Sequence, residues 1–208
     1  MSPGPTAEPD RDDPVTRSGL DAAGRPGESA TSIEYRVDAE RTVGLLARTL
    51  ARLHATELDA AESAAPLSAE RLAARAVAAL AAGAVRDEGR SAAYRHVTAE
   101  RLVAILGDGA RRADERRDRW VLTHGAPTLA HLWCERGSAV GLIGWTDPAV
   151  ADPYRDLAVA ARSVATDLTP ALVPLLFEAY GERTPDPVRV DWYTLAAELL
   201  VPAGADPG

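Results

Sequence analysis

The chain has 208 residues, a formal net charge of -8 and an aromatic content of only 5%. That charge disfavours a nucleic-acid binder that works by neutralising phosphates. The sequence contains no Lys, Asn or Gln, so no lysine is available to hold a phosphate and no asparagine to hold a metal.

Residues 1–32 are rich in Pro, Gly, Asp, Ser and Thr, with isolated apolar residues and no periodicity. Such a composition buries too little surface to offset ordering entropy and predicts a disordered tail. It also lacks the apolar run of a signal peptide. Residues 33–37 alternate and are expected to form a short strand or hinge. Asp38 is placed to cap a helix whose apolar positions Val43, Leu46, Leu50 and Leu53 follow helical spacing and which ends near His54. Ser68 caps an alanine-rich helix to about residue 82. Its most apolar stretch, residues 72–85, contains Arg75 and is too short to span a bilayer. Thr98 caps a further helix over residues 99–106.

Residues 111–119 interleave arginines with acids, as a solvated helix face or connection does. Residues 120–123 are a β-branched and aromatic run and read as a strand. Residues 129–134 and 139–143 read as two more strands, joined by a turn at 136–138. Asp152-Pro153, Thr169-Pro170 and Asp186-Pro187 each place a capping residue before a proline at the first helical position. The helices they start should end near residues 166, 180 and 200, the second stopped by Gly181. Residues 203–208 read as a disordered end. A single cysteine, Cys134, excludes an intrachain disulfide and fits a reducing, cytoplasmic setting.

Residues 120–134 read W-V-L-T-H-G-A-P-T-L-A-H-L-W-C, residues 141–147 G-L-I-G-W-T-D and residues 150–158 V-A-D-P-Y-R-D-L-A. This resembles the catalytic core of the aminoglycoside phosphotransferase family, whose pattern is H-G-D-x-x-x-x-N, then a strand ending in I-D, then A-D-x-x-x-D-L-A. His124, Gly125, Ile143, Ala151, Asp152, Asp156, Leu157 and Ala158 match it. Residues 45–59, with their R-L-H, resemble the family's first large-lobe helix. Residues 177–181 (F-E-A-Y-G) and 186–193 (D-P-x-R-x-x-x-Y) resemble its C-terminal segments. The resemblance implies a mainly α (α+β) fold: a protein-kinase-like C-terminal lobe with a small β-hairpin, spanning residues 33–202. The family's ATP-binding lobe is expected to be absent. A sheet of about five strands needs roughly 25–30 strand residues, and residues 1–32 show no such alternation.

The departures fall on the chemical positions. Ala126 stands where the family has its catalytic Asp, His131 where it has a metal-binding Asn, and Gly144 where it has a metal-binding Asp. A kinase-like reaction needs a carboxylate to accept the substrate proton, oxygen ligands for Mg2+ and a Lys on the phosphates. General base catalysis alone is typically worth ~10²–10⁴-fold. Mg2+ prefers hard oxygen ligands, whereas imidazole suits zinc or copper. Asp147 reads first as a turn residue before Pro148, and it is the nearby carboxylate that could substitute for the lost metal ligand. Asp152 reads as a helix cap, His124 as a hydrogen-bonded scaffold residue, and Asp156 as the carboxylate that braces the catalytic loop. Glu198 matches one acid of the family's substrate-binding segment, while its neighbouring acid is Ala197. Ser138 and Ser163 have no patterned His and acid partners.

The reading that leads is a degenerate, non-enzymatic member (a pseudokinase or relic) that needs no cofactor. The enzyme alternative is a divergent phosphotransferase using ATP and Mg2+ on an aminoglycoside or other small hydroxyl compound. A third reading is an interaction module, with a homodimer or a protein partner covering the face that the missing lobe leaves. No nucleic acid and no membrane enters any of the three.

Overall fold

Side-chain caps start most of the helices. Asp38, Ser68 and Thr98 accept from the backbone N–H groups of Arg41, Arg71 and Arg101 at the starts of α2 (Ala39–His54), α3 (Ala69–Ala81) and α4 (Ala99–Glu115). Each satisfies a donor that the helix itself cannot. Asp152 Oδ1 accepts from Tyr154 N (2.8 Å) at the head of α5 (Tyr154–Asp167). Thr169 caps a 3-10 turn, Pro170–Leu172, that leads into α6 (Val173–Tyr180), which Gly181 ends in the left-handed region. Asp186 Oδ1 accepts from Val188 N (3.0 Å) at the head of α7 (Pro187–Leu199).

The structure is a computed structural model that describes residues 18–20, 26–58, 65–85, 91–145 and 147–200, with backbone alone for 18–20. The expected end at 203–208 and residues 1–17 and 21–25 of the expected tail lie outside them. Within that tail, Ser18–Leu20 and Pro26–Ser29 form β1 and β2, which corrects the reading of a featureless segment up to residue 32. Residues 33–37 are not a strand but a short helix, α1 (Ile33–Val37). The helix expected to end at 106 runs on to Glu115. Of the predicted strand 129–134, the first part is a 3-10 turn, Leu129–His131, and the strand β4 is Leu132–Glu135.

Two antiparallel sheets result. β5 (Ser138–Leu142) completes a four-stranded sheet in the order β1-β2-β4-β5, and β3 (Val121–Thr123) pairs with β6 (Ala149–Ala151). The helices share one core, in which α2 packs on α6, α3 on α4, and α5 on α7. Leu46, Leu50, Leu102, Leu106, Leu157 and Leu176 are fully buried there, each contributing about 1.5–3 kcal/mol of hydrophobic stabilisation. This helical body holds the two sheets and the loops between their strands. No helix among the described residues is long and apolar enough to cross a membrane.

Candidate functional site

Two loops meet at the end of these strands: residues 124–131, between β3 and β4, and residues 143–145 and 147–148, between β5 and β6. Ile143 N donates to His131 O (2.9 Å), and His124 Nε2 donates to Ile143 O (2.9 Å). Ala126 N donates to His124 Nδ1 (3.3 Å), which fixes the ring proton on Nε2. Burial lowers the His124 pKa, against the pull of the Asp156 charge. Gly125 is at φ +97, and a Cβ there would lie 2.7 Å from Asp147 O. Only glycine fits that approach.

Asp156, on α5, is fully buried and holds the first loop from below. It accepts from His124 N (2.7 Å), from Gly125 N (2.8 Å) and from His54 Nε2 (3.1 Å). Burial would raise its pKa, but the bonds from His54 and the two backbone donors outweigh this and keep it below its ordinary value. His54 Nδ1 in turn bonds the Tyr180 hydroxyl (2.8 Å), which accepts from Arg119 (3.2 Å). A continuous chain therefore runs from the surface to the loop backbone. Asp152 is likewise buried and bound through both oxygens by Arg189 NH2 (2.7 and 2.8 Å). Burial raises its pKa while Arg189 opposes the shift.

The three departing positions lie side by side. Ala126 brings no polar side chain. The imidazole of His131 bonds Thr128 Oγ1 through Nδ1 (2.9 Å) and lies against the backbone of Gly144. A Cβ at Gly144 would be 2.4 Å from His131 Cδ2 and 2.8 Å from its Nε2, and Gly144 is at φ +71. The ring fills the space in which a side chain at 144 would begin. Burial and the neighbouring His124 lower the His131 pKa, so the ring stays neutral near pH 7. The Trp145 ring lies tilted against His124, with centroids 4.7 Å apart, and remains 44% exposed, whereas Leu142 is buried.

Asp147 is more than a turn residue. Its Oδ2 accepts from Arg155 NH2 (2.5 Å) and Arg75 NH1 (2.9 Å), and buried Arg155 also donates to Thr123 Oγ1 (2.8 Å). Glu198 is not on the loops: its side chain is 4% exposed, Ser91 N donates to it (3.2 Å) and Arg162 lies 3.7 Å away. Ser163 accepts from Leu129 N (2.9 Å) and donates to Asp167 (2.6 Å), a brace between α5 and the 3-10 turn. Among the described residues no three His, Cys, Asp or Glu side chains gather as a metal site. Sequence reasoning placed His54, Tyr180 and Arg189 within family-like segments but gave them, and Arg155, no role at the site. A histidine and two arginines placed within otherwise apolar helix faces were the available signal.

A helical lobe that carries two small antiparallel sheets, with a His-Gly loop braced by a buried Asp, defines a kinase-like phosphotransferase lobe. The chain belongs to the phosphotransferase enzyme family (APH), whose profile matches residues 22–193. It is similar to a crystal structure of an aminoglycoside-3'-phosphotransferase of type VIII (TM-score 0.67, 22% identity, covering 89% of this chain and 72% of that one). It is also similar to the aminoglycoside phosphotransferase APH(3'')-Id from Streptomyces rimosus ATCC10970 (TM-score 0.70, 19% identity, covering 88% and 67%). A macrolide 2'-phosphotransferase from Brachybacterium faecium matches at TM-score 0.53 and 24% identity, covering 87% of this chain and 56% of that one. At these identities the likeness concerns the fold.

Proposed function

We propose that this chain is a family member without phosphotransfer activity, a degenerate lobe that keeps the family's loop framework. The observation that carries the reading is the packing of His131 into the side-chain space of Gly144. The residues present do not fit a bound Mg2+. One former ligand position offers a neutral imidazole where oxygen is wanted, and the other has no room for a side chain. Ala126 supplies no proton acceptor, and no lysine exists to hold a phosphate. The enzyme alternative would recruit Asp147, Asp152 or Asp156, but two arginines already bond Asp147, Arg189 holds Asp152, and Asp156 is taken up by His54 and the loop backbone. Retention of the Asp156 brace beside the lost chemistry supports a lobe kept for its shape. A single cysteine, Cys134, with no second cysteine to pair with, is what supports a reducing, cytoplasmic setting.

The direct test incubates the full chain with radiolabelled ATP, Mg2+ and a panel of aminoglycosides. Label stays on ATP if the reading holds, and label on a drug above the no-protein control overturns it. The interaction-module reading rests on the exposure of Ile33 (76%), Val37 (81%) and Trp145. Its test is sedimentation of the parent beside Trp145→Arg at micromolar concentration. A shift from dimer to monomer supports it, and an unchanged monomer removes self-association.

A further inference from the structure

One wall of an open groove is the face of α3 that carries Arg71 and Arg75, one turn apart. The groove has a volume of about 550 Å³ and, beside the two arginines, is lined by Leu67, Ala74, Ala78 and Val150. Neither guanidinium hangs free. Arg71 NH1 donates to the carbonyls of Ala65 and Pro66 (both 3.0 Å), and Arg75 NH1 donates to Asp147 Oδ2 (2.9 Å). That same oxygen accepts from Arg155, so one carboxylate serves two guanidinium groups. No carboxylate is among the described residues that line the groove. Two anchored cations beside these apolar side chains, with Asp147 the carboxylate that bonds Arg75 among the described residues, leave donors free for an incoming anion. Anchoring matters because an arginine already fixed loses less side-chain freedom on binding.

We infer that this groove binds a small organic anion, a carboxylate or phosphate ester, through Arg71 and Arg75, with its apolar body on Leu67 and Val150. The planar donor fork of arginine matches both oxyanions. The sign of charge is opposite to that needed for a cationic antibiotic, and the inference does not depend on whether the neighbouring loops retain chemistry.

Calorimetric titration of the full chain, without nucleotide or metal and at fixed ionic strength, tests it with phenyl phosphate and benzoate. Inorganic phosphate supplies the charge without the body, and benzyl alcohol the body without the charge. The tighter of the two aromatic anions identifies the preferred oxyanion, and it should bind more tightly than either control. Arg71→Gln should weaken that binding about tenfold, in line with one lost charge-assisted hydrogen bond. Arg75→Gln should do the same, and Arg111→Gln, on the surface of α4, should leave it unchanged. Absence of binding by either aromatic anion at about 10 mM, a range that corresponds to negligible affinity, overturns the inference. So does equal affinity in the parent and Arg71→Gln, whose melting curve first establishes that it is folded.

Discussion

Replacing Gly144 by alanine should destabilise the protein through His131, and the two positions should prove strongly coupled. The new Cβ would lie 2.4 Å from His131 Cδ2, and the ring cannot turn aside without giving up its bond to Thr128 Oγ1. Overpacking of this kind costs ~1–3 kcal/mol. Alanine at φ +71 adds ~1–2 kcal/mol of backbone strain. The sum of ~2–5 kcal/mol should lower the melting temperature by roughly 5–15 °C in a chain of this size. In a His131→Ala background the clash is gone and only the strain remains, so the cost of Gly144→Ala should fall to ~1–2 kcal/mol. Urea unfolding of the parent, both single variants and the double variant closes the cycle, with an expected coupling of ~1–3 kcal/mol. Additivity to within ~0.5 kcal/mol would show that the ring does not occupy the side-chain space of residue 144.

Asp156→Ala leaves His54 and the N–H groups of His124 and Gly125 unpaired in the core. It should cost ~3–5 kcal/mol by chemical denaturation, and a loss below ~1 kcal/mol would refute the brace. Asp147→Ala deprives buried Arg155 of its carboxylate and should cost ~1–2 kcal/mol, whereas the sequence reading of a plain turn residue expects no change. Stability should also fall in mild acid, because the folded pKa values of His124 and His131 lie below the ordinary histidine value. The unfolded chain then takes up more protons, so this contribution is complete above ~6.5, the unfolded pKa, and is lost as pH falls below it. Melting curves between pH 7.5 and about 5 should show the decline, and His131→Asn should flatten it; parallel curves for the two proteins would remove His131 from the account.

Helix starts were legible because caps are local chemistry. Asp38, Ser68, Thr98 and Asp186 all do in the fold what their hydrogen-bonding side chains allow. The errors came where a distant partner decides. Residues 33–37 have apolar side chains at both ends and a tyrosine between them, which suits a strand as well as one helical turn. The helix prevails with Tyr35 inward, bonded to Gly137 N (3.1 Å). Two glycines hid the second half of α4. Gly109 is a packing site rather than a break, since a Cβ there would meet the Trp192 ring at 2.8 Å, and Trp192 Nε1 donates to Leu106 O (2.9 Å) on the same helix. β2 has too much Pro and Gly to announce itself, and its pairing with β4 sets it. At the site, the motif located His124, Asp152 and Asp156, but pairings such as His131 with Gly144 or Asp147 with Arg155 exist only in three dimensions.

The chain of bonds Arg119–Tyr180–His54–Asp156 behaves as a ratchet. Its buried members, His54 and Asp156, sit inside the helical core, so losing either one strands the other in a medium that punishes unpaired polar groups. A catalytic carboxylate at the surface of a loop has no such protection, because a small side chain in its place leaves nothing behind it unsatisfied. The two kinds of position therefore answer to different constraints: the side chain at 126 can change without disturbing the core, whereas folding itself holds the members of the brace together.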